Sequence, residues 1–199
     1  MLAAAVYFIG VGISGMLVNP PNPPTKMYWW AVAMPLVLGG LWMTFKTFKI
    51  TPKLGRRAFF GLLGLLIAAG SIYGASRFTD KGPIDWTYYT HERFDNAIGN
   101  GQVVVLEYTA EWCLNCKALE EQVLRKKEVA DLIGEEDINP IKIDLTKGYP
   151  DANERLVMSG RRTIPLIQVF APNGKEVFKS DSYTKTQVLD AIEEARKLN

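Results

Sequence analysis

Three apolar runs open the chain, Leu2–Val18, Tyr28–Phe45 and Ala58–Ala75, and no charged residue interrupts any of them. Each is about as long as a helix needs to cross roughly 30 Å of hydrocarbon. Uncharged runs of that length predict transmembrane helices rather than the core helices of a soluble fold. After Thr90 the pattern changes to short alternations of apolar and polar positions. Glu92–Ile98 reads as a helix closed by Gly99-Asn100-Gly101, and Gln102–Thr109 as a buried strand. Leu114–Lys127 reads as a helix, continued or followed by Glu128–Ile133. Ile141, Ile143 and Leu145 alternate in a second strand, Ile138–Leu145, and Ala152–Met158 reads as a helix ending near Gly160. Ile164–Phe170 and Glu176–Lys179 flank Pro172-Asn173-Gly174-Lys175, a strong hairpin signal. Thr186–Leu198 places Val188, Leu189, Ile192 and Ala195 on one helical face.

The division at about residue 75 is also one of charge. Residues 1–75 hold six Lys and Arg and no acid, which leaves 17 basic and 21 acidic residues in 76–199. Lys46, Lys49, Lys53, Arg56 and Arg57 fall between the second and third runs, whereas the 19–27 loop carries only Lys26. The positive-inside rule then puts 46–57 in the cytoplasm and everything after Ala75 on the far side. These cations border apolar runs and do not form a nucleic-acid patch. The first run follows Met1 without a basic n-region and ends in Asn19-Pro20-Pro21-Asn22-Pro23-Pro24, with no small-x-small cleavage site, so it reads as a span and not as a signal peptide. Small residues recur in the spans, and Gly70 and Gly74 have the spacing that permits close helix approach. No Cys, His, Asp or Glu lies in the spans, so they carry no redox or proton-relay groups. Residues 76–90 read as a linker whose Trp86, Tyr88 and Tyr89 either rest at a membrane surface or pack on the domain that follows.

Both cysteines of the chain lie in Glu107-Tyr108-Thr109-Ala110-Glu111-Trp112-Cys113-Leu114-Asn115-Cys116-Lys117, directly after the apolar run 103–106. Cys-x-x-Cys between a strand and a helix is the arrangement of thiol–disulfide exchange. Cys113 falls at the helix N-terminus, where unpaired N–H groups and the positive dipole end stabilise a thiolate. Cys116, one turn on, can attack a mixed disulfide held by Cys113. A metal site is not expected, because zinc needs about four ligands and the chain has one histidine, His91, and no third cysteine. A purely structural disulfide would close too small a loop to add much stability. No cofactor beyond the cysteine pair is expected.

The element order after residue 90 is that of a thioredoxin-like domain, so the expected architecture is three transmembrane α-helices (1–75), the linker (76–90) and an α/β thioredoxin-like domain (91–199). The active-site stretch, with Leu119-Glu120, Ile143-Asp144-Leu145-Thr146 and Thr163-Ile164-Pro165, resembles the DsbD-type thiol:disulfide interchange proteins, whose C-terminal domain is thioredoxin-like. The resemblance implies a bacterial inner-membrane protein with its C-terminal domain in the periplasm. Such proteins pass electrons from a membrane domain to periplasmic protein disulfides, including those of cytochrome c maturation factors and disulfide isomerases. It implies that Cys113 and Cys116 are catalytic, that Glu107 is a buried acid beneath the pair, and that Glu120 is a second acid near it. It also implies a cis Pro165 facing the pair, with Ile164 offering backbone groups and Trp112 on the substrate-binding face. The alternatives are an edge-strand Glu107 pointing to water, a solvated Glu120, and a Pro165 that merely begins a strand.

One departure is large: the family's membrane domain has more helices and a cysteine pair of its own. The chain therefore reads as the C-terminal piece of a longer protein or as dependent on a separate electron conductor. The expected partners are periplasmic thiol and disulfide proteins, that conducting domain and the lipid bilayer. The competing readings are a tethered thiol oxidant or isomerase, and a non-catalytic membrane interaction module with a structural cysteine pair.

Overall fold

The computed structural model describes residues 28–146 and 149–198. The first predicted span, Leu2–Val18, lies outside the described residues. The rest forms two compact units that meet in sequence at Asp80 and Lys81.

The N-terminal unit contains two helices, α1 (Tyr28–Ile50) and α2 (Leu54–Thr79). Both are long and apolar enough to cross a membrane. Each outruns its expected span, because the backbone keeps its helical hydrogen bonds past the first charged residues, as far as Ile50 in α1 and from Leu54 to Thr79 in α2. The expected basic loop 46–57 is thus mostly helical, with only Thr51, Pro52 and Lys53 between the helices. Lys46, Lys49 and Arg57 lay their cations over the rings of Trp42, Phe45 and Phe48, as long basic side chains do where an apolar surface ends.

The two helices pack through glycines, but not through the expected Gly70 and Gly74. Among the described residues a Cβ on Gly70 would meet nothing, and one on Gly74 would meet only Phe78 of its own helix. The close approach is between Gly40 and Gly64, where a Cβ on either residue would come 2.5 Å from the carbonyl oxygen of the other. Thr44 Oγ1–H donates to the carbonyls of Gly40 (3.0 Å) and Gly61 (3.2 Å), satisfying its hydroxyl within the helix pair. Gly64→Val should therefore loosen the pair by about 1–3 kcal/mol, the usual cost of overpacking. Gly70→Val should be neutral at this contact, and detergent-denaturation midpoints of the two variants check the contrast.

The C-terminal unit is a five-stranded sheet in the order β1-β3-β2-β4-β5, with helices on both faces. Its strands are β1 (Thr87–Tyr88), β2 (Val103–Thr109), β3 (Ile138–Asp144), β4 (Leu166–Phe170) and β5 (Glu176–Ser180). Its helices are α3 (His91–Gly99), α4 (Leu114–Leu119), α5 (Lys127–Ile133), α6 (Pro150–Met158) and α7 (Lys185–Arg196). β2 pairs in parallel with β3 and antiparallel with β4, and every residue of β2 is buried. This explains why Val103–Leu106 is a continuous apolar run: a central strand is covered on both faces. Val103 and Val105 join one core cluster, with Val123, Leu124, Ile133, Val188 and Ile192. Val104, Leu106 and Tyr108 join the other, with Ile141, Ile143, Ala152 and Leu156. Gly174, at φ 81°, makes the β4–β5 turn that the sequence announces. Thr184 and Gln187 cap α7 reciprocally.

Two expectations need correction. Leu114–Lys127 is not one helix: α4 ends at Leu119, and Glu120–Leu124 forms a π-helical turn in which Arg125 N–H reaches the Glu120 carbonyl at 2.8 Å. The single extra residue lets Val123 and Leu124 face the core while Glu120 stays beside the sheet. Residues 76–90 are not simply a linker either. α2 runs on to Thr79, β1 adds an edge strand beside β3, and Tyr88 and Tyr89 are buried in the domain, with Trp86 packed against its core. Between the two placements left open for these aromatics, the structure shows the domain.

Candidate active site

β2 delivers the chain from the middle of the sheet into Ala110–Trp112, and Cys113 caps α4. Cys113 and Cys116 form a disulfide, with Cα atoms 5.3 Å apart. The Cys116 N–H donates to Cys113 Sγ at 3.2 Å. That donor, at the start of a helix, supports negative charge on Cys113 once the disulfide is reduced. The two residues differ in access: Cys113 is 7% exposed and Cys116 2%. An attacking partner therefore meets Cys113 first.

Beside the pair, Trp112 is 65% and Leu114 84% exposed, which is costly for large apolar side chains unless a partner covers them. Ile164 packs against the cluster of Ala110, Cys113 and Cys116, and the Ile164–Pro165 peptide is cis. The proline precedes β4 rather than beginning it, since β4 starts at Leu166.

Glu107 is 1% exposed, on the central strand of the sheet, so the edge-strand alternative does not hold. By alternation it shares the face of Val103 and Val105, whose cluster includes Leu119, Val123 and Leu124 of the segment after Cys116. Its cross-strand partner is Lys142. Lys142 Nζ lies 3.0 Å from Glu107 Oε2, off the direction of a good hydrogen bond, so charge holds the pair. Lys142 also pairs with Glu120 Oε1. Lys117 Nζ continues the chain of charges to Glu120 Oε2 (3.3 Å) and Glu111 Oε1 (3.2 Å). Glu120 is accordingly a half-buried member of a ladder of charges that runs from buried Glu107 and Lys142 out to Lys117 and Glu111, and not a fully solvated helix residue.

Burial pushes the Glu107 carboxyl up to about 7; the Lys142 charge opposes this and the Glu120 charge adds to it. Burial alone would lower Lys142, but Glu107 and Glu120 outweigh it and hold the ammonium well above the ordinary lysine range. Lys117 behaves likewise, raised by Glu120 and Glu111 against its burial. Lys142 therefore stays charged, and Glu107, which titrates near neutrality, is the member of the pair that can take up or release a proton.

Lys142 is the site residue that the sequence reading missed. Its signal was present: Ile141 and Ile143 face one core, so the residue between them faces the other and needs a buried acid. His91 starts α3, where its Nδ1 lies 3.0 Å from Tyr89 Oη, away from the cysteine site. Among the described residues no cluster of His, Cys, Asp and Glu could hold a metal ion.

Comparison with known proteins gives the family. Residues 65–196 match the family described as Thioredox_DsbH, protein of unknown function, DUF255. The chain belongs to the Thioredox_DsbH family. Thiol:disulfide interchange protein DsbD 1 of Pseudomonas aeruginosa is 27% identical over 202 aligned positions, covering 88% of this chain and 32% of that protein. DsbD of Pseudomonas sp. is 35% identical over 71 residues, 36% of this chain and 11% of that protein. The chain thus spans about a third or less of the curated relatives it matches. Among solved structures, a DsbH oxidoreductase matches with TM-score 0.46 and 17% identity over 58% of this chain and 86% of its own. The oxidised C-terminal domain of Neisseria meningitidis DsbD matches with TM-score 0.44 and 21% identity over 55% of this chain and 98% of its own.

Proposed function

We propose that the chain is a membrane-anchored protein-disulfide reductase that passes electrons from membrane-domain thiols to protein disulfides in the periplasm. The observation that carries the reading is the Cys113–Cys116 disulfide, with Cys113 capping α4 and exposed Trp112 and Leu114 flanking it, at the end of the strand that holds the buried Glu107–Lys142 pair. The printed names of the relatives, thiol:disulfide interchange proteins, support it. In the dithiol state the Cys113 thiolate attacks one sulfur of a substrate disulfide, and the other substrate sulfur leaves as a thiolate. Cys116 gives its proton to Glu107 and attacks Cys113 Sγ, which expels the second substrate thiolate and restores the Cys113–Cys116 disulfide. Two electrons move to the substrate. Two thiols of a membrane domain restore the dithiol, and α1 and α2 tether the site to that domain. Factors of cytochrome c maturation and disulfide isomerases are the proposed recipients, and the bacterial inner membrane the proposed location.

The direction of electron flow is tested by equilibrating the full chain in detergent with glutathione buffers. A potential at or below roughly −200 mV supports a reductant that must be fed through the membrane. A value near roughly −120 mV makes the site an oxidant and overturns the proposed direction.

A further inference from the structure

The residues just before β1 are pinned to the charge ladder. Ile84 is buried in the core, and Gly82, at φ 81°, brings its backbone against the Arg125 guanidinium, 3.2 Å from where a Cβ would stand. Gly82, Ile84 and Trp86 share a small pocket with Glu120, Leu124 and Arg125 of the π-helical turn. The Trp86 ring centroid lies 5.0 Å from Lys142 Nζ. Lys142 therefore has carboxylates on two sides and an aromatic face on another. A desolvated ammonium over an indole is attracted by the negative face of the ring, so removing the ring loosens Lys142 from its place between the two acids.

We propose that Trp86 is a positioning residue: its ring holds the Lys142 ammonium between Glu107 and Glu120, so that the segment entering the domain sets the charge of the acid on the cysteine-bearing strand. The other titratable groups around the ladder are Tyr88 of β1, Asp144 of β3, Glu111 of the cysteine loop, Lys117 of α4, Glu120 of the π turn and Tyr183 before α7. Burial drives both tyrosines upward, so they stay neutral across the neutral range. Lys142 is the cation paired directly with Glu107, and Lys117 acts on it from farther off. Glu107 is buried by the strands and helices around it, so loss of the ring removes its counter-charge without hydrating it. The direction follows: the carboxyl keeps its proton to higher pH. This deepens the reading above, which gives the Glu107 proton its use.

The test is an infrared pH titration of the full oxidised chain in lipid, following the carbonyl stretch of a protonated buried carboxyl that Glu107→Gln removes. In the native chain the band should be lost with a midpoint near 7. Trp86→Leu, which keeps apolar bulk but no ring, should raise the midpoint by roughly one pH unit or more. Trp86→Phe should restore the native midpoint, and Lys142→Met should raise it further. Adding Trp86→Leu to Lys142→Met should change nothing more, because a residue that acts through Lys142 has no effect without it. The proposal is overturned by an unshifted or lowered midpoint in Trp86→Leu, by Trp86→Phe shifting as far as Trp86→Leu, by a further shift in the double variant, or by the absence of a Glu107-dependent band. The exchange reading fails separately, when the native reduced chain does not reduce insulin disulfides, a result the titration does not involve.

Discussion

Cys113→Ser should abolish insulin reduction, and Cys116→Ser should instead accumulate a mixed disulfide. The asymmetry comes from the geometry of the pair. Cys113 caps α4, receives the Cys116 N–H and is the more exposed of the two residues, which makes it the one proposed to meet a substrate. Without it the first bond cannot form, and the rate falls to the uncatalysed background. Without Cys116 the first bond forms and has no internal thiol to release it. Non-reducing gels of Cys116→Ser mixed with a disulfide substrate should show a higher-mass band that disappears with dithiothreitol. Equal residual activity in both variants would remove the assignment of attacking and resolving roles.

Glu107→Gln has the second large effect, and it separates catalysis from stability. In its proposed role as the base for Cys116, the carboxylate would accelerate the resolving step, and its loss should slow that step by roughly 10²-fold. The native rate should rise with pH through about 7 as the carboxyl ionises, and this rise should vanish in the variant. Stability moves the other way. The folded carboxyl holds its proton up to about 7, whereas the ordinary value of 4.5 applies in the unfolded chain. Between those values the folded state binds more protons, so native stability is full below 4.5 and falls as pH rises through 7, by about 3 kcal/mol. Glu107→Gln should flatten this dependence in urea melts at pH 5 and pH 8. A native curve that rises across the same window would contradict the burial of a neutralised carboxyl.

Much of the domain and its redox pair is legible in the sequence because the pattern there is redundant. Val103–Leu106, the Cys-x-x-Cys spacing and the Asn173-Gly174 turn each fix a local structure without help from distant residues. What escapes is whatever depends on partners far along the chain. Lys142 is an unremarkable strand residue until the register sets it opposite Glu107. The break after Leu119 is invisible because the periodicity of 114–127 suits a plain helix, and only packing against the sheet asks for one extra residue. Gly70 and Gly74 show the reverse failure: their spacing permits helix contact, but the face that meets α1 is decided by Gly64 and its fit to Gly40 and Thr44. The 76–90 stretch looks like a tether because a two-residue strand carries almost no pattern of its own.

The order of strands in the sheet has a consequence for how the domain comes to exist on the ribosome. β2 is made first of the three central strands, yet both of its neighbours, β3 and β4, come later in the chain. Nascent β2 therefore has no ladder to join, and the cysteines that follow it are synthesised into an open chain. Closing such long loops precedes any gain from pairing, which makes acquisition of the sheet slower than that of a helical hairpin with local contacts. During that delay Glu107 stays hydrated and charged, and it enters the interior in the same event that brings Lys142 alongside. Within residues 1–199 the two cysteines, three residues apart, offer each other a single intramolecular disulfide, the one the folded domain contains.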